Sequence, residues 1–160
     1  MKSRAAIRSL FLPVSGSVPL LLPSAVLAEV ISYRAPESLY SSTPWLLGWM
    51  EWRGISVPLI SFEMLCGHAD RGAIAGTRIA ILNGITGHPK LPFLGLRIQG
   101  IPRLTLVREE SLVLQENVSD TSLYAAVDLS DQPALIPDLE VLEGLLVPYL
   151  RDDVTASSET

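Results

Sequence analysis

Pro44-Trp45-Leu46-Leu47-Gly48-Trp49-Met50-Glu51-Trp52-Arg53-Gly54-Ile55-Ser56-Val57-Pro58-Leu59-Ile60 reads as two apolar strands folded about an Arg-Gly turn. Glycine at the second turn position supplies the positive φ that a tight hairpin needs, and Trp, Val and Ile on both sides suit a pleated, half-buried surface. All three tryptophans of the chain, Trp45, Trp49 and Trp52, fall in this stretch. Such a cluster reads either as a core hairpin or, because Trp is amphipathic and over-represented where proteins meet, as part of a partner surface.

Outward from the hairpin, short apolar runs recur between turn signals. Ser9 to Val14 and Val18 to Leu22 are strand candidates around a Ser-Gly-Ser turn, and Ser24 is placed to cap a short helix through Ile31, with Val26, Leu27, Val30 and Ile31 on one face. Arg34 to Thr43 is a Ser- and Pro-rich loop, and Gly67 to Gly76 holds too many glycines for a regular element. Arg78 to Leu82, Phe93 to Gln99, Arg103 to Val107, Ser111 to Gln115 and Leu123 to Leu129 are further strands. A last helix begins at Asp138 with Leu139, Leu142, Leu145 and Leu146 at three- and four-residue spacing, and Pro148 ends it. Residues 151–160 form a polar tail expected to be disordered. Many short strands with two small helices predict barrels rather than a parallel α/β sheet.

The chain has 160 residues, 48% apolar and only 18% charged, with mean hydropathy +0.35. That balance favours strands buried on both faces or an obligate partner. The net charge is −5, and no run of Lys and Arg offers phosphates a footprint, so no nucleic-acid partner is expected. Cys66 is the only cysteine, which forbids an intramolecular disulfide and a thiolate zinc cage and fits a reducing cytoplasm. Lys2, Arg4 and Arg8 ahead of the apolar Leu10 to Leu22, with Ala25 to Ala28 as a small-x-small site, imitate an export signal. Pro13, Ser15, Gly16, Ser17 and Pro19 break the helix such a signal needs, and no stretch is long enough to insert directly into a membrane.

The order of elements resembles the CheW-like family of chemosensory coupling proteins, from about Leu10 to Leu146. The residues that carry it are Ala28-Glu29-Val30-Ile31, then Pro44, Gly48 and Arg53-Gly54, then Val57-Pro58-Leu59-Ile60 with Leu65 and Gly67. Arg78 to Ile81, Gly95-Leu96-Arg97-Ile98 and Ile101 complete the set, and Gly-x4-Arg-Gly-x2-Val-Pro is its most specific spacing. Ser61 replaces the family's usual aspartate after Val-Pro, and Ile98-Gln99 its Val-Asp, so the match is to a divergent member; accessory adaptors of type IV pilus systems look similar in length and divergence. The resemblance implies a mainly β fold of two intertwined five-stranded SH3-like barrels around a shared apolar core, forming one domain over residues 10–147 after an N-terminal segment of residues 1–9. It further implies a cytoplasmic, non-catalytic adaptor recruited to receptor arrays, with the regulatory domain of a chemosensory histidine kinase and a chemoreceptor signalling tip as partners. Its expected partner-binding residues are Glu29, Val30, Ile31, Gly48, Trp49, Arg53 and Gly54; each has a plainer reading, Val30 and Ile31 as core and the two glycines as backbone geometry.

Nothing in the residues demands chemistry, and neither a cofactor nor a metal is expected. His68 and His88 lie in Gly- or Pro-rich loops, a poor setting for a phosphoacceptor or a ligand set. The glycines around Gly72 and Gly76 lack the Lys-Ser/Thr of a phosphate-binding loop, and Asn117-Val118-Ser119 has only the form of a glycosylation acceptor. Glu109-Glu110 and Asp152-Asp153 read as solvated charges. Two alternatives to the adaptor stay open: an exported β-domain whose signal is genuine, and a hydrolase using Cys66 with His68 or His88.

Overall fold

The computed structural model describes residues 6–14, 18–37, 43–70, 72–115 and 122–150. Its strands are β1 (Ile7–Leu12), β2 (Leu20–Pro23), β3 (Leu27–Ser32), β4 (Leu46–Trp52), β5 (Ile55–Ile60), β6 (Thr77–Asn83), β7 (Phe93–Gln99), β8 (Arg103–Val107), β9 (Leu112–Leu114), β10 (Tyr124–Leu129) and β11 (Gln132–Pro137). Two short helices, α1 (Phe62–Leu65) and α2 (Leu139–Leu146), interrupt them. The Trp-rich stretch folds as its sequence predicts. β4 and β5 pair antiparallel from Leu46 opposite Ile60 to Trp52 opposite Ile55, leaving Arg53 and Gly54 as a two-residue turn.

The strands form two sheets, in the order β8-β1-β2-β11-β10-β9 and β3-β6-β7-β5-β4. The first is assembled from both ends of the described chain, and the second is the segment between them, which is why the two units are intertwined. In the first sheet the ends meet through the parallel pair of β2 and β11, where the Leu135 N–H donates to the Pro19 carbonyl at 3.0 Å. The second sheet is brought round on itself by an antiparallel bridge between Glu37, beyond β3, and Trp49 on β4. The first sheet has six strands where five are expected, with β8 and β9, separated by a 3-10 turn at Glu109–Ser111, at its two ends.

Three apolar clusters hold this together. Phe11, Leu21, Val127, Leu129 and Ala134 fill the first unit, and Met50, Trp52, Val57, Leu59, Ile79 and Ile81 fill the second. The largest cluster lies between them and joins Leu12, Leu20 and Leu22 to Leu82, Leu94 and Leu96, with Leu142 and Leu146 of α2 packed on it. Strands that carry apolar residues on both faces explain the high hydropathy, since each fully buried leucine contributes about 1.5–3 kcal/mol. α2 starts as predicted, the Val141 N–H donating to Asp138 Oδ1 at 3.1 Å. Leu10 to Leu22, the segment that imitates a leader, supplies β1 and β2, so cleavage after Ala28 would remove two strands of the first sheet.

The helix expected from Ser24 to Ile31 is not there. Ser24–Val26 makes one 3-10 turn and the rest is β3, paired to β6 with an extra residue, Ala28, between Leu27 and Glu29. The bulge turns Leu27 and Val30 toward the inter-unit cluster and leaves Ile31 to pack inside the second unit, so the apolar spacing mimics a helical period. Two elements had no prediction. α1 is capped by Ser61, whose Oγ accepts from the Met64 N–H at 3.3 Å, and β11 contains Pro133 and ends at Pro137, residues that argue against a strand. The Ser15 to Ser17 turn, part of the Arg34 to Thr43 loop, the Asn117 triplet and the polar tail lie outside the described residues.

Candidate partner-binding surface

At the tip of the β4–β5 hairpin both turn residues have positive φ, 53° at Arg53 and 77° at Gly54. Glycine takes that conformation freely, whereas an arginine held there costs about 1 kcal/mol. The turn geometry alone would favour Asn or Gly at position 53, so the arginine is explained by its side chain. Its guanidinium lies 4.7 Å from the centre of the Trp52 ring and donates from an Nη atom to Glu29 Oε1 at 3.2 Å. The same carboxylate oxygen accepts from Trp52 Nε1 at 3.0 Å, and the edge of Phe93 meets Trp52 with ring centroids 4.8 Å apart.

Glu29, Trp52 and Arg53 therefore form one unit across the seam between β3 and β4. Trp52 is buried and gives it a fixed base, while the Arg53 side chain keeps 69% of its surface in solvent and Glu29 39%. An exposed ion pair of this kind contributes only about 0.2–1 kcal/mol to stability, so its main effect is to orient a cation at the surface. Arg34, close by on the same edge, donates to the Glu51 carbonyl.

The other expected residues divide. Val30 and Ile31 are half-buried on opposite faces of β3 and present only their rims. Gly48, with φ 146°, sits at a bulge where β4 shifts register against β5, and it is buried, as is Trp49 at 2% exposure. In this conformation these two shape the hairpin and offer no surface to a partner. Trp45 packs edge-on to Tyr149 beyond α2, so the three tryptophans take three different places in the core and only Trp52 supports the turn.

A second feature is marked in the sequence only as a strand whose leucines alternate with polar neighbours, and the exposed face is the leucine one. On β8, an edge strand, Leu104 and Leu106 are 57% and 51% exposed, facing the same way as Leu10 and Arg8 across the pairing with β1. Leu104 thus lies beside Leu10, which packs on the inter-unit cluster, and Leu106 beside the exposed Arg8, as a short apolar stripe.

The cysteine reading finds no support. Burial first and then the charge of Glu63 push the Cys66 thiol up to about 11, so it stays protonated and poorly nucleophilic at neutral pH. His68 shares a small pocket with it, but His88 is engaged in its own turn, Nδ1 accepting from the Lys90 N–H at 3.1 Å. Among the described residues no three His, Cys, Asp or Glu side chains group as a metal site, and no helix is long and apolar enough to cross a membrane.

The family model described as the CheW-like domain matches residues 9–144. The chain belongs to the CheW-like family. The scaffolding protein TtCheW from Thermoanaerobacter tengcongensis has the same fold, with a TM-score of 0.71 over 84% of this chain and 90% of that one, at 19% identity. No curated protein sequence matches the chain. Within the CheW-like frame the two sheets are its paired SH3-like barrels, and the Arg53 turn is the tip of the second.

Proposed function

We propose that this CheW-like chain is a non-catalytic adaptor that couples chemoreceptors to a histidine kinase in chemotaxis or twitching-motility signalling. It works in the cytoplasm at membrane-associated receptor arrays, and its divergence suits an accessory adaptor of a type IV pilus system. The single observation that carries this reading is the CheW-like domain over residues 9–144, and Arg53, a largely exposed cation kept in an unfavourable backbone conformation on a Trp52–Glu29 base, supports a contact surface within it. The Arg53 turn, with Gly54, Glu29 and the rims of Val30 and Ile31, is the surface for the kinase's regulatory domain. Arg is well suited to such a role, because its planar fork makes directed hydrogen bonds to a carboxylate and is enriched among interface anchors.

An adaptor needs a second surface, and the stripe of Leu104 and Leu106 is apolar, exposed and separate from Arg53. It is assigned to the receptor tip. Coupling follows if the docked adaptor prefers one kinase state, since a partner shifts an equilibrium only by its differential affinity. The test is titration of the purified chain with each partner separately. Arg53→Ala should weaken kinase-domain binding and spare the receptor tip, and Leu104→Asp with Leu106→Asp should do the reverse. Loss of neither, with all proteins folded, would overturn the assignment.

A further inference from the structure

We propose that the groove between α2 and the β6–β7 connection is a docking site for an apolar peptide segment that carries a lysine or arginine beside its anchors. This open groove of about 640 Å³ shares no lining residue with the Arg53 turn or the Leu104 stripe. Leu22, Tyr124, Ile136 and Leu139 form its floor, with Val26 and Ile85 as its walls.

Both walls are pinned. The Asn83 side-chain amide donates to the Ala25 and Val26 carbonyls at 3.3 and 3.2 Å, which fixes the turn that carries Val26. On the other side Glu143, 1% exposed, accepts from the N–H groups of Ile85 and Thr86 at 2.7 and 3.1 Å and from the Thr86 hydroxyl at 2.5 Å. A buried carboxylate satisfied three times holds Ile85 in place although its side chain is 51% exposed. A preformed apolar groove costs little ordering on binding, and affinity then rests on a few anchors.

The charge of the lining selects the occupant. Asp138 and Glu140 stand at the α2 end, and among the described residues no Lys or Arg lines the groove. One Asp138 oxygen caps Val141, while Glu140 is exposed. A peptide with a cation next to its apolar residues matches this pattern, and an acidic one is repelled.

The test is a ¹⁵N-resolved titration of the full chain with acetyl-Leu-Lys-Leu-Leu-Lys-amide, against the same peptide with Glu in place of Lys. The expected result is saturable shifts at Val26, Tyr124 and Leu139, at least tenfold weaker for the Glu peptide. Ile85→Asp should remove them, with Ile85→Ala as the milder substitution should the first disturb folding, and Glu140→Lys should weaken binding about threefold, as expected for one exposed ion pair. Equal affinity for the two peptides, indifference to both Ile85 substitutions, or no saturable shift in the groove would overturn the proposal. Binding that appears only after residues 151–160 are deleted would make the chain's own end the occupant, and peptide competition with self-association would make it a second copy; either result would also overturn it.

Discussion

Replacing Arg53 by Asn separates the cost of its conformation from the use of its side chain. The substitution removes an ion pair of about 0.2–1 kcal/mol and a cation–π contact of about 0.5–1 kcal/mol at an exposed site. Asn is at ease with φ near +53°, so about 1 kcal/mol of backbone cost is returned. The two changes nearly cancel, and urea unfolding should place Arg53→Asn within about 1 kcal/mol of the parent. Binding to the kinase regulatory domain should nevertheless fall at least tenfold by calorimetry, or about 1.4 kcal/mol, because the oriented guanidinium is gone. A substitution that destabilised the fold by more than about 2 kcal/mol would make Arg53 a structural residue. One that left both stability and binding unchanged would show that the Arg53 side chain takes no part in the interface.

Three further outcomes follow from the packing and the titrating groups. Gly84→Ala should cost more than about 2 kcal/mol in urea unfolding, because a Cβ there would collide with the Leu91 carbonyl oxygen, which is backbone and cannot swing away; a neutral result would mean that the β6–β7 connection is looser than its hydrogen bonds imply. Cys66 should react with iodoacetamide slowly at pH 7 and faster by about tenfold per pH unit toward its raised value near 11, and Cys66→Ala should bind partners normally. Asp70 is held below the usual carboxylate range by the Gly72 N–H and then by Arg97, whose Nη donates to it at 2.6 Å. Its contribution to stability is therefore complete above an unfolded value of about 3.9 and is lost as pH falls through the lower folded value. Acid unfolding followed by circular dichroism should be less steep below about pH 4 in Asp70→Asn than in the parent.

The hairpin was legible because its turn and its strands point the same way: Gly54 licenses the turn, and Trp49, Trp52, Val57 and Ile60 suit pleated strands. α2 was legible for a similar reason, since the Asp138 cap and the leucine spacing agree. β3 was not, because one bulged residue at Ala28 converts strand alternation into a three- and four-residue rhythm, and period alone cannot separate the two. β11 was hidden by its prolines and by its turn, where Ser130 and Asp131 both take positive φ without a glycine to announce it. Of the candidate surface, Arg53 was named through the family resemblance of its Arg-Gly turn, since the turn alone reads equally as a solvated loop. Its partnership with Glu29 joins residues 24 positions apart through the pairing of β3 with the rest of its sheet, and only the fold brings them together. The burial of Trp49 and the exposure of Leu104 and Leu106 are likewise decided by tertiary packing, because the same apolar residue type serves a core face or an open edge.

An adaptor of this kind bridges two partners at once through two separate surfaces. The most direct measurement is mass photometry of the chain mixed with a chemosensory kinase regulatory domain and a receptor signalling-tip fragment. The expected result is a three-component species that Arg53→Ala and the Leu104→Asp, Leu106→Asp pair each abolish, leaving opposite two-component complexes. Mutually exclusive binding of the two partners, or a ternary species indifferent to both sets of substitutions, would contradict it.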